Sequence, residues 1–246
     1  MSDVIILKKD ESKEIWDKNY KGKSLRIFVS YSSNDRKVVG EIKNSIERFG
    51  LSVFLAHEDI IPSSDWQIEI IKNLKGCDIF LPFLTNNFIS SDWTDQESGM
   101  AVALDKFILP INVETVPYGF INRWHAFKFD ISNLENSCLG VIKVIREISP
   151  FQDYLKDCMI ASLELARSFY VANPISEELL KFQHFTSDQV NQIIRNAIRN
   201  NQFRMSSSGK KLINEIISKY KNDLDPSLLK IFESVKDQFT VAFELS

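Results

Sequence analysis

The chain is poor in the residues that most often announce a chemistry. Its 246 residues include only three cysteines, Cys77, Cys138 and Cys158, far apart in sequence. No Cys-x-x-Cys spacing occurs, so neither a thiolate metal site nor a disulfide framework is expected, and a reducing compartment is the natural setting. The three histidines, His57, His125 and His184, have no metal-like spacing. Eight glycines include no Gly-x-Gly pair, which excludes a Rossmann dinucleotide fingerprint, and a P-loop is missing as well. No apolar run is long enough to span a bilayer. The N-terminal Val4-Ile5-Ile6-Leu7 is too short for a secretory signal, so a cytoplasmic location is expected. Lys and Arg number 30 against 33 Asp and Glu, with a formal charge of −3. Their scatter gives no electrostatic case for nucleic acid.

What remains is the composition of a soluble globular protein: 44% hydrophobic and 26% charged residues, with 18 Phe to fill a core. The length suits one domain of middling size and a smaller appendage. Residues 1–23 are polar and Lys-rich, and read as an N-terminal extension packed loosely on the larger domain. From residue 24 to 148, strand-like and helix-like patterns alternate. Strands are expected at Leu25–Tyr31, Leu51–Leu55, Asp78–Leu84, Phe107–Val113 and Trp124–Phe129. Asn34 or Asp35 is placed to cap the first helix, whose Val38, Val39, Ile42, Ile46 and Phe49 share a face, and Gly50 to end it. A second helix, capped by Asp65, turns Trp66, Ile70, Ile71 and Leu74 inward. A third runs to about Asp105 and a fourth covers about Asn136–Glu147. Alternation of this kind implies an α/β fold, a flavodoxin-like, doubly wound parallel sheet of five strands. Ligands bind such sheets beyond the carboxyl ends of the strands. The loops after Ser30, after Leu55 and after Leu84 should therefore converge on one cleft.

From residue 149 to 246 no strand-like run survives, and a small all-helical domain is expected. Phe151–Val171 reads as one helix. Thr186-Ser187-Asp188-Gln189 opens a second, with Val190, Ile193, Ile194, Ala197 and Ile198 as its apolar stripe. Asn200-Asn201 and the Ser206–Gly209 turn should end it. Leu212, Ile213, Ile216, Ile217 and Tyr220 mark a third, and Asp225-Pro226 opens a last one lined by Leu229, Ile231, Phe232, Val235 and Phe239.

One pair invites chemistry. Trp93 and Glu97 are four apart, so a helix puts them on one face, and Ser90, Ser91 and Asp92 upstream are good caps that place Glu97 early in it, where the helix N-terminus favours a charged carboxylate. Taken alone, such a pair reads as a core residue beside a solvated charge. The order and spacing of the whole set change that. Phe28-Val29-Ser30-Tyr31-Ser32, the loop Ala56–Asp65 with Glu58-Asp59-Ile60 and Pro62, and the Trp93–Glu97 pair after the third strand together resemble a Toll/interleukin-1 receptor (TIR) domain of the bacterial type, over roughly residues 24–148. Thr94 stands where related sequences often have Cys. A response-regulator receiver shares the element order, but Leu84-Thr85 offers no acceptor Asp at the end of the third strand.

The resemblance implies NAD cleavage at the nicotinamide–ribose bond, with NAD+ as substrate and no cofactor. Glu97 would be the catalytic carboxylate, ionised and stabilising the positive charge that grows on the ribose. Trp93 would wall the site. Ser30 and Ser32 would bond phosphate or ribose, or else satisfy backbone groups at the strand end. Phe83 would line the cleft or be buried, and Trp66 belongs to the core. Asp59, Ile60 and Pro62 would lie in a loop that closes over the site and mediates assembly. The partners implied are NAD+, a second TIR domain, and an effector or sensor protein at the helical domain, with no nucleic acid and no membrane. The family's role would be anti-phage defence. Two alternatives stay open: a non-enzymatic TIR–TIR scaffold, and a nucleoside N-glycosidase related to deoxyribosyltransferases.

Overall fold

The computed structural model describes residues 24–55 and 66–238. The chain divides into two compact units, one ending at Ile148 and one formed by Ser149 onward together with Arg48–Gly50.

The first unit is built on a wholly parallel sheet. Its strands are β1 (Arg26–Ser30), β2 (Ser52–Leu55), β3 (Ile79–Leu84), β4 (Phe107–Ile108), β5 (Ile111–Asn112) and β6 (Phe127–Lys128). They lie in the order β2-β1-β3-β5-β6, with β4 also on β3. Every residue of β3 is buried, as a central strand covered on both faces requires. The expected fourth strand is broken in two. Leu109 donates to the carbonyl of Phe80, but Pro110 has no N–H to give. Beyond Pro110 the pairing resumes in the same register, Phe83 level with Ile111 as Phe80 is with Ile108. Counted as one interrupted strand, β4 and β5 complete a five-stranded, doubly wound α/β sheet. The fifth strand is shorter than its apolar run suggests.

Among the described residues, the helices flanking this sheet are α1 (Arg36–Glu47), α2 (Trp66–Gly76), α3 (Asn86–Ile89), α4 (Asp92–Ala103) and α5 (Leu134–Glu147). Gly50, at φ 81°, takes the left-handed conformation that glycine favours after a helix end. On one face of the sheet Phe28 packs against Phe54, tilted, and stacks on Phe80, with ring centroids 5.2 and 5.8 Å apart. Ile70 and Leu74 of α2 and Ala101 of α4 join this cluster. Side chains alternate along a strand, so Ser30 shares the face of Phe28 and looks toward α4. Trp66, expected in the core, is instead 39% exposed. It is the first residue of α2, one turn ahead of the buried Ile70, Asn73 and Leu74.

Asp35 does not cap α1. Its carboxylate accepts from the hydroxyl of Thr85 at 2.6 Å and the amide of Asn87 at 2.7 Å, clasping the loop after β1 to the one after β3. Thr85 in turn caps α3, accepting from the backbone N–H of Phe88.

The second unit is helical: α6 (Gln152–Glu164), α7 (Phe169–Leu179), α8 (Ser187–Arg199), α9 (Asn201–Met205), α10 (Ser207–Lys219) and α11 (Pro226–Val235). The single helix expected over 151–171 is two. Asn200 explains the break: its amide donates to the carbonyls of Leu163 and Ala166 at 2.7 and 2.9 Å, satisfying groups that the end of α6 leaves open. The Ser206–Gly209 stretch begins a helix rather than ending one, with the Ser206 hydroxyl accepting from the Gly209 N–H. Thr186 and Gln189 form a full capping box, and all five residues of the expected α8 stripe are buried. In α11 the buried set is Leu228, Phe232 and Val235. Phe239 lies outside the described residues.

Candidate active site

The buried side of α4 consists of Thr94, Glu97, Ser98 and Ala101. These are spaced as one helical stripe, yet small or polar rather than greasy. Thr94 fixes the start of the helix. It is fully buried, and its hydroxyl lies 2.7 Å from the carbonyls of both Phe88 and Ser91, tying α4 to the end of α3. That bond needs an oxygen donor, which accounts for threonine at this position.

Glu97 follows in the second turn and is only 1% exposed. The helix begins at Asp92, so Glu97 sits further in than expected, and the dipole's help fades beyond the first turn. The Ser30 hydroxyl, at the end of β1, donates to its Oε2 at 2.5 Å. Among the described residues Oε1 is buried with no hydrogen-bond partner, and so is the hydroxyl of the neighbouring Ser98. No cation among the described residues forms an ion pair with Glu97. Burial pushes its carboxyl from the usual 4.5 up to about 8, against the opposing pull of the Ser30 hydrogen bond. Burial thus favours the protonated form of this carboxyl.

Trp93, half-buried, presents its ring to Trp66, with centroids 4.2 Å apart and planes at 72°. The two indoles form an aromatic wall along α2 and α4. Ser32 is buried, and its hydroxyl does not cap the turn after it. That turn is closed by the backbone, Asp35 N–H to Ser32 C=O at 2.8 Å. Phe83 is not brought to the carboxyl. The register sets Ser30 level with Pro82, so Phe83 faces the other side of the sheet, where its ring meets Phe129 edge-on at 6.0 Å. Asp59, Ile60 and Pro62 lie outside the described residues. Sequence reasoning missed the unpartnered Ser98 hydroxyl and the Asp35 clasp. The small polar Thr94 and Ser98, spaced four apart on α4, were a signal for the first, and no local pattern marked the second.

The site thus lies at the carboxyl ends of β1 and β3, where doubly wound sheets bind ligands. Residues 27–137 match the model of the TIR domain family. The chain carries a TIR domain. Among solved structures, the TIR domain of the Toll-related receptor TRR-2 from Hydra magnipapillata matches at 15% identity, over 52% of this chain and 96% of that one, with a TM-score of 0.40. No curated protein matches the chain. In this TIR domain the Trp93–Glu97 pair lies on α4, the second helix after β3, and Ser30 ends the first strand. Among the described residues no helix is long and apolar enough to cross a membrane.

Proposed function

We propose that this TIR domain cleaves NAD+ at the nicotinamide–ribose bond, with Glu97 as the catalytic carboxylate. The observation that carries the reading is the state of that carboxyl: buried, without a cation, and with Oε1 unpartnered among the described residues. Burying such a group costs several kcal/mol, on the order of its shift in ionisation. A Gln of similar size would accept the same bond from Ser30 without burying an ionisable group, so packing alone does not call for a carboxyl here. Groups held at such cost mark working sites.

The chemistry suits one carboxylate. As the C–N bond breaks, its electron pair leaves with nicotinamide, which departs neutral. Positive charge grows on the ribosyl carbon, and ionised Glu97 stabilises it. Water, or a nucleophile within the ADP-ribosyl group, then adds to that carbon and loses a proton, giving linear or cyclic ADP-ribose. Hydration of the carboxyl as the site admits substrate would lower its pKa toward the usual range and favour the ionised form.

The setting we propose is cytoplasmic, bacterial and defensive: NAD+ consumption or a nucleotide signal raised against phage. Self-association of TIR domains would switch the site on, and the helical unit would meet a sensor or effector protein. A pure TIR–TIR scaffold leaves the unpaired buried carboxyl without a purpose. A nucleoside N-glycosidase would use the same carboxyl, and free nucleosides would then compete with NAD+. The deciding experiment incubates the concentrated protein with NAD+ and follows nicotinamide by chromatography, with Glu97→Ala alongside. Release by the parent protein and none by a folded variant supports the reading. Release by both would place the chemistry elsewhere.

A further inference from the structure

Ser30 is one of the residues expected to touch substrate, yet its hydroxyl is committed elsewhere. It is fully buried at the last residue of β1, where the ladder to β3 fixes the backbone that carries it. The hydroxyl donates to Glu97 Oε2 at 2.5 Å. The carboxyl of Glu97 comes from a helix, and a Glu side chain has three torsions. Nothing else among the described residues hydrogen-bonds its oxygens. One contact from the rigid strand therefore decides which carboxyl oxygen points where.

We propose that Ser30 is the positioning residue of this site: its hydroxyl pins Glu97 through Oε2, so that the carboxyl meets the substrate through Oε1 alone. This rests on the NAD-cleaving reading for its activity readout, but not for its readout on the free protein. A carboxyl held in this way takes one ribose hydroxyl or faces the ribosyl carbon with one oxygen, rather than gripping a pair of hydroxyls. A hydrogen bond to the charged form also favours that form, so Ser30 opposes the effect of burial on Glu97. The charged side chains on the elements around Glu97 are Asp92 and Asp95 on α4, Glu69, Lys72 and Lys75 on α2, and Arg26 on β1. Glu69 is paired with Lys72, Arg26 with Asp78, and Asp95 accepts from Tyr118. None of them is among the causes of the Glu97 shift, which are burial and Ser30.

The test compares Ser30→Ala and Ser30→Cys with the parent chain, the cysteine keeping the volume while offering only a weak donor. On the free protein, unfolding is followed from pH 5 to pH 10 against Glu97→Gln as the blank. Losing the donor should move the upper end of the Glu97-dependent part of the profile to higher pH by about one unit. With NAD+, kcat/KM at pH 7 should fall about tenfold for both variants and converge on the parent as the pH is raised. A loss that persists equally at every pH, or a rise in KM with an unmoved pH profile, would make Ser30 a substrate contact and overturn the proposal. An unchanged unfolding profile in both variants would overturn it as well. If the parent chain releases no nicotinamide, the functional reading fails, and the unfolding profile alone still decides the role of Ser30.

Discussion

The indole of Trp66 meets that of Trp93 edge to face, one from the start of α2 and the other from the start of α4. Two indoles this close couple their electronic transitions. Replacing either with Phe should abolish the exciton signature in circular dichroism, and the two single variants should look alike. The stability cost should be about 1 kcal/mol beyond the area lost. A signature that survives either change would mean that the pair is not formed in solution.

The ionisation of Glu97 sets a pH dependence whose sign is fixed. The unfolded chain releases this proton near 4.5, whereas the folded protein holds it to about 8. Between those values the native state binds the extra proton, so the contribution of Glu97 to stability is fullest below pH 4.5 and is lost as the pH rises through 8. The loss should run at about 1.4 kcal/mol per pH unit at its steepest. Measured as the difference between the parent and Glu97→Gln in urea unfolding, it should vanish in acid and grow toward pH 8. A difference that stays flat with pH would show a carboxyl already ionised.

The same substitution should separate stability from activity. Glu97→Gln keeps the volume and a hydrogen-bonding partner for Ser30, so at about pH 8, where the parent carboxyl is ionising, it should melt higher than the parent while releasing no nicotinamide. An active Gln variant would remove Glu97 from the chemistry.

At the other end of the sheet, Arg26 grips Asp78 through two nearly parallel bonds of 2.8 and 2.7 Å, and the Arg26 backbone N–H adds a third at 2.9 Å. Asp78→Ala should cost about 2 kcal/mol, tempered by the partial exposure of both side chains. It lies at the opposite end of β1 from Ser30, so kcat/KM with NAD+ should stay within about twofold. A large loss of activity in a folded variant would mean that the two ends of the strand are coupled.

In the helical unit, Asn200 accepts from the Gln202 N–H at 2.8 Å while its amide serves the end of α6. Asn200→Ala leaves buried carbonyls unpaired and should cost roughly 3 kcal/mol, whereas Asn201→Ala next to it should cost little. Equal effects at the two positions would refute this assignment.

Much of the fold was legible because the first three strands are unbroken apolar runs and the capping signals at Thr186 and Asp225 are local. Pro110 also stood in plain view, and the divided fourth strand follows from its missing N–H. The Trp93–Glu97 spacing marked the helix that holds the candidate carboxyl. What the sequence could not disclose is what that carboxyl touches. Ser30 lies far away along the chain, and only the packing of α4 on β1 joins them. The side that Phe83 faces depends on strand register, which no local pattern records. Nor does anything between Leu165 and Ser168 announce a helix end, because the residue that stabilises it comes from Asn200. The upward shift in the ionisation of Glu97 likewise follows from burial, a property of the assembled unit.

The reach of Asn200 has a kinetic corollary. One side chain closes the end of α6 and opens α9, so neither end can fray without releasing the other. Amide hydrogens in the last turn of α6 and the first turn of α9 should therefore exchange with solvent as a single cooperative block. Within the helical unit, these two ends would open and close as one event rather than unravelling independently.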